Sequence, residues 1–473
     1  MSTSAPFIKH EDNGVQTFVF NPKEEMPQEK EIRTKLIQLF TASVGSLICI
    51  PFGIMLGWPS PTYPKLLPLL SPIPITIDQS AMIAGFLMIG NVLSTPLSTW
   101  SFFGTKYGII FGLIGTLIGW IIMWYATDIY FLLSSRMIIG LSFGYGVGQL
   151  KIYIKDLCTA DVSQFLLHLI NFHVLFGVIL AYILGCFLSF TNFSMAVIVL
   201  NIIILVFSLF LPHSAKEYLQ FGKIKEARTL IKCLTPNVSV EEEIQRIQLE
   251  EIKKEEDLSL FQVLRDRKLR KHFFLLNLLT FLQQSTGAPT SIVYAEIIFT
   301  YSHLPHPKIY SIVYAILFFI STFIGTFYCS RLNRKVCLML SSIAASVALA
   351  LNVAVFYLDF NKLYWSYSSL MSMSIFIFVH NLGLAVVPAM LLSEYFPVQA
   401  RNVTSKVQII IFSAMAVIVT KVFQVLYSVY SLYVPFCMFL GISVVTVFYI
   451  LIFIPYKVPV LNDEKGEKET IAL

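Results

Sequence analysis

Gln283 and Gln284 are adjacent carboxamides in a strongly apolar stretch, TFLQQSTGAPTSIVYAE, and each can donate and accept hydrogen bonds at once. Around them Asn277, Thr280, Gln284, Gly287, Ser291 and Tyr294 recur at spacings of 3, 4, 3, 4 and 3, which is one face of an α-helix. An amide facing hydrocarbon is costly, so this face should look onto protein or a water-filled path. Gly287 and Pro289 should break the helix partway, because proline lacks the N–H and clashes with the preceding turn. Backbone groups freed at that depth are tolerated where they line a cavity. The chemistry on offer is hydrogen bonding to a neutral ligand with many hydroxyls. The same amides could instead pair across a helix bundle with no ligand, and the segment alone leaves both readings open.

Machinery for breaking bonds is not suggested: there is no Walker loop, HExxH or nucleophile elbow, so an enzyme is not expected. The 7 cysteines are scattered without CxxC spacing, which argues against a zinc site or a disulfide framework and reads as small buried hydrophobes. His168, His173 and His380 are isolated and read as bundle hydrogen-bonders rather than ligands. No metal or other cofactor and no nucleic-acid partner is expected.

The elements that must hold the amide face follow from hydropathy. Of 473 residues 56% are hydrophobic and 13% charged, and the mean hydropathy of +0.73 is beyond an ordinary soluble domain of this size. A span needs about 20 apolar residues. Twelve such runs occur, at 36–58, 80–100, 108–126, 129–150, 165–187, 192–212, 272–300, 308–330, 335–357, 364–392, 404–428 and 432–455. The charged stretch 213–271 separates six from six and reads as short amphipathic helices on one membrane face. The expected fold is therefore all-α, twelve transmembrane helices in two six-helix bundles, 36–212 and 272–455, joined by a helical loop. Residues 1–35 and 456–473 read as polar, disordered tails, with no apolar region of a cleavable signal in the first 35 residues. Lys and Arg crowd the loops on the side of both tails, while Lys65, Lys308 and Lys362 stand on the other, which places both termini in the cytoplasm.

The two halves echo each other: FFGTKYG follows span 2 as YCSRLNRK follows span 8, and KIYIKD follows span 4 as LLSEYFPVQAR follows span 10. A duplicated six-helix unit would leave such a pattern, as in secondary transporters with a midplane site. The span 7 stretch FLQQSTGAPTSIVY resembles the Q-Q-x-S-G-x-N-x-x-x-Y-Y signature of the sugar porter family of the major facilitator superfamily. SSRMIIGLSFGYGVG, LPHSAKEYLQFGKIKEA and GLAVVPAMLLSEYFPVQAR are similar to other motifs of that family in the same order. GIMLGWPSPTYPKL and DQSAMIAGFLMIGNVLSTPLS look most like the insect facilitated trehalose transporter group.

The resemblance implies the major facilitator fold and facilitative transport of a hexose or trehalose-like disaccharide by alternating access. It implies substrate contacts at Gln283, Gln284, Asn171, Ser291, Tyr294, Asn381 and Pro388. It implies gating by Asp156, Arg136 and Lys106 in one half and Arg331, Arg334, Glu394 and Arg401 in the other. The bilayer and a sugar are the expected partners, the family default is a monomer in the plasma membrane, and another polar solute or a non-transporting sensor are the alternatives. Departures are visible. The family's span 7 asparagine falls on Pro289 and its span 10 tryptophan on Ala389, and acids or bases are lost at Thr105, Ile109, His213 and Ser163. That loss should thin the cytoplasmic lock and favour the inward-open state. Proton-coupled relatives need a carboxylate in the first span, and span 1 has none, so uniport is expected.

Overall fold

The computed structural model describes residues 7–12, 15–20, 27–69, 71, 73–101, 104–158, 160–234, 239–252, 258–358 and 363–456. Among them nine helices are long and apolar enough to cross a bilayer, and a tenth span arises if Lys35–Ser46 and Cys49–Gly57, bent by 43°, are one. That bent pair is span 1. Spans 2 to 6 are Ile77–Thr99, Thr105–Trp124, Ile129–Leu157, Leu166–Phe187 and Phe190–Leu209; spans 8, 9, 11 and 12 are Pro307–Arg331, Arg334–Leu358, Val398–Val429 and Tyr433–Phe453. The two remaining expected spans are each split: span 7 into Arg267–Ser285 and Ala288–Tyr301, span 10 into Leu363–Asn381 and Val387–Tyr395. The membrane-spanning part of the protein is all-helical.

Helix ends carry local signals. Thr76 and Gln79 cap span 2 reciprocally, Asp128 accepts from the first turn of span 4, and Ser189 accepts from Asn192 at the start of span 6. The break in span 7 has a cause that differs from the sequence expectation. Gly287 sits at φ +90°, left-handed backbone that glycine alone adopts freely, and ends the first helix. Pro289 stands in the first turn of the next helix, where its missing N–H costs nothing, so it starts a helix rather than breaking one.

Close helix packing rests on small residues. A Cβ at Gly53 would overlap the Val174 backbone and one at Gly90 the Met137 carbonyl, so spans 1 and 5, and spans 2 and 4, touch backbone to backbone. The polar stretch after span 6 forms the helices Ala215–Gln220, Ile224–Leu234, Val240–Ile252 and Leu260–Arg265. In the N-terminal tail, read from sequence as disordered, Phe7–Asp12 and Val15–Phe20 pair as antiparallel strands with Phe7 opposite Phe20. The tail beyond residue 456 lies outside the described residues. Cys49, Cys329 and Cys337 are buried as expected, but Cys233 and Cys437 are exposed, on a polar helix and on the outer face of span 12.

Candidate functional site

The two helix breaks of the second half meet. The Gln283 Nε2 donates to the Ala385 carbonyl at 3.2 Å, and the Thr286 hydroxyl lies 3.1 Å from the His380 Nε2. Each break frees backbone groups that side chains then satisfy. Ser341 donates to the Val379 carbonyl (2.7 Å) and accepts from the Leu384 N–H (2.9 Å), while Gln408 donates to the Pro388 carbonyl (3.3 Å) and the Thr280 hydroxyl (3.1 Å). Asn381 donates to Ser321 at 3.0 Å. The result is a polar seam at the two breaks, in which a ligand could exchange hydrogen bonds with amides, hydroxyls and carbonyls.

The expected substrate residues are distributed unevenly over this seam. Gln283, Asn381 and Pro388 lie in it and are buried. Gln284 is also buried, yet its carboxamide makes no hydrogen bond to the described protein. Ser291 stands beyond the break with its hydroxyl taken: it donates to the Ala288 carbonyl and accepts from Tyr314 at 2.7 Å. Asn171 is exposed on span 5, beside Phe172, which packs on Phe323 of span 8. Two concavities are formed elsewhere. One of ≈ 390 Å³ lies between spans 7 and 11 and is lined by Phe274, Asn277, Phe281, Ile411 and Met415; another of ≈ 460 Å³ is lined by Arg334, Glu394 and Tyr395. Gln283 and Gln284 line neither.

Tyr294 belongs to a contact between the first six spans and the last six. Its hydroxyl is 2.9 Å from the Ser80 hydroxyl, and its ring lies against Tyr63 and Phe423 with centroids 5.9 and 5.2 Å away. Close by, Tyr182 donates to the Ile292 carbonyl at 2.5 Å, Ser60 accepts from the Glu296 N–H at 3.1 Å, and Lys421 pairs with Asp78. One end of the molecule is thereby closed across the two halves. Ser60, Ser80 and Tyr182 carry no sequence signal for this role, since each bond joins residues more than 100 positions apart. Lys421, without an explanation from sequence, is the cation of the Asp78 pair.

At the opposite end, Arg334 and Glu394 form a half-buried ion pair at 2.7 Å, and Arg401 donates to the Phe396 and Ser393 carbonyls at 2.8 and 2.7 Å. Arg331 is exposed and forms no ion pair with Glu394 among the described residues. In the first half, Asp156 is half-buried at the end of span 4 and Lys106 half-buried at the start of span 3. Arg136 does not join them. It lies 20 residues before Asp156 on one continuous helix, about 30 Å away, fully buried beside Trp58 at 5.3 Å. Arg136, expected among the gating residues with Asp156 and Lys106, thus stands well apart from Asp156 along span 4.

Glu217 was missed. It is buried and accepts from the Thr105 N–H, from the Thr105 hydroxyl at 2.6 Å and from His213 at 2.9 Å. The positions read as lost charges, Thr105 and His213, therefore both bond one acid four residues past the motif's usual acid. That i, i+4 spacing from His213 was the available signal.

A family model described as Sugar (and other) transporter matches residues 30–459. The chain is 24% identical over 446 residues to the facilitated trehalose transporter Tret1 of Apis mellifera ligustica, covering 90% of this chain and 88% of that relative. It is 23% identical to the bovine solute carrier family 2, facilitated glucose transporter member 8, over 86% of this chain and 90% of that one. A solved structure of the xylose transporter XylE from E. coli in its inward open conformation superposes with a TM-score of 0.74 at 15% identity, over 89% of this chain and 97% of that one, a likeness of fold.

Proposed function

The chain belongs to the sugar (and other) transporter family, and on that premise we propose that it carries a hexose or trehalose-like disaccharide down its gradient by alternating access. The observation that carries this reading is the juxtaposed breaks of spans 7 and 10, with Gln283 reaching across to Ala385 and the neighbouring Gln284 amide left without a hydrogen-bond partner among the described residues. A neutral donor–acceptor pair of that kind suits hydroxyls rather than charges. Gln283, Gln284, Asn381 and the Pro388 region line the sugar in this account, with Asn171 facing them from the first half; Tyr294 and Ser291 serve the gate instead.

Residues 36–212 and 272–455 are the two rocking bodies, joined by 213–271. The contacts of Tyr294, Tyr182 and Glu296 close the extracellular end, so the conformation is inward-facing, with both termini cytoplasmic. The clusters around Glu217 and around Arg334, Glu394 and Arg401 hold the cytoplasmic ends of the two halves. The protein works as a monomer in the plasma membrane. Uniport is supported by the absence of any acid from 36–58.

A second reading has a specific basis. Ala389, at the place of the family's tryptophan, is exposed, and removing a stacking ring there widens the site and favours a different polar solute. Uptake of radiolabelled glucose, trehalose and other sugars into proteoliposomes separates the two. Saturable uptake of one or more sugars supports the first; uptake of none, with sugar binding intact, defeats it.

A further inference from the structure

Span 4 buries a positive charge that no described residue neutralises. Arg136 is 1% exposed and Trp58, beside it, 0%. The Arg136 Nε and Nη1 and the Trp58 Nε1 are all sealed from solvent and without a hydrogen-bond partner among the described residues. Three donor atoms, two on the guanidinium and one on the indole, are thus found on side chains whose cation and ring lie 5.3 Å apart. Arginine does not escape by losing its proton, and a cation over an aromatic face replaces only part of its lost hydration.

No acid answers it among the described residues. Asp128, on the same helix, is spent on the N-terminus, accepting from Tyr130 and Phe131. Tyr63, whose ring packs on Trp58 at 6.1 Å, keeps its proton, donating it to the Ser80 carbonyl at 2.6 Å, and brings no negative charge. Glu296 keeps its own sealed, unpartnered Oε2 and forms no ion pair with Arg136. Span 1, from which Trp58 follows, contains no acid.

We propose that Arg136 and Trp58 form a binding site for a small monovalent anion, of the halide or carboxylate class. Such an ion accepts from the guanidinium and the indole together, converting three orphaned donors into charge-assisted hydrogen bonds. It is supplied either as free chloride or as the carboxylate of a solute. The site stands behind the Tyr63–Tyr294 contact (5.9 Å), so the ion is enclosed when that end of the protein is shut. Its occupancy stabilises the folded protein by mass action, with no transported sugar required.

The test is the unfolding temperature of the purified full-length protein as chloride replaces methanesulfonate at constant ionic strength, with sodium glucuronate as a second probe. A saturable rise with chloride, absent in Arg136→Gln, is expected. In Trp58→Phe, which keeps the ring and removes only the N–H, the chloride affinity should fall about tenfold. A rise with glucuronate alone keeps the site and assigns it to a solute's carboxylate. No rise with either ion in the folded wild type, or an undiminished chloride affinity in Trp58→Phe, overturns the proposal.

Discussion

Tyr294→Phe removes one hydroxyl from the contact between the two halves and little else. The ring keeps its packing on Tyr63 and Phe423. Ser80 is not stranded by the change, because its hydroxyl also donates to the Ile77 carbonyl at 2.6 Å. What disappears is one buried hydrogen bond of 2.9 Å that joins residues 214 positions apart and exists only while that end is shut. A net bond of this kind stabilises by about 0.5–1.5 kcal/mol. The equilibrium should therefore move toward the state open at that end by about two- to thirteenfold. The reporter is Ile292→Cys, whose site is buried next to the Tyr182 contact, in a background with the native cysteines replaced. Its modification by a membrane-impermeant thiol reagent should quicken by that factor in Tyr294→Phe. An unchanged or slower rate would refute the assignment of this contact as a gate.

Glu217→Ala should strip partners from the Thr105 N–H, its hydroxyl and His213, and lower the stability of the purified protein by about 2–3 kcal/mol in chemical or thermal unfolding; a neutral result would mean the site is hydrated. Gly287→Ala forces a side chain into left-handed backbone and onto the Phe439 ring, and should cost about 2–5 kcal/mol, seen as poor yield and a lower unfolding temperature. Acidifying the outside of vesicles should leave sugar at its gradient limit, since span 1 carries no acid; accumulation above the external concentration would show coupling to protons instead.

Apolar runs were legible because hydrocarbon imposes a minimum length on every span, and counting them needs no tertiary knowledge. Even the interruption of span 7 was visible in Gly287, although Pro289 took credit that belongs to the glycine's backbone. Partners across the chain were not legible. Ser80 for Tyr294, Ala385 for Gln283, and Tyr314 for Ser291 are set by how broken helices dock, and periodicity along one helix carries no information about them. The separation of Arg136 from Asp156 was legible, because twenty residues of one helix set them about 30 Å apart. Glu217 stands one turn past the motif's usual acid, at a position that the motif does not mark as acidic.

The most direct test of a carrier whose two halves alternate about Gln283 and Gln284 is entrance counterflow in proteoliposomes. Vesicles preloaded with unlabelled sugar should take up labelled sugar to a transient overshoot, and Gln283→Ala should lower the initial rate at low sugar about tenfold, the worth of roughly one hydrogen bond. Absence of any overshoot across the sugar panel, or an overshoot indifferent to Gln283→Ala, would contradict it.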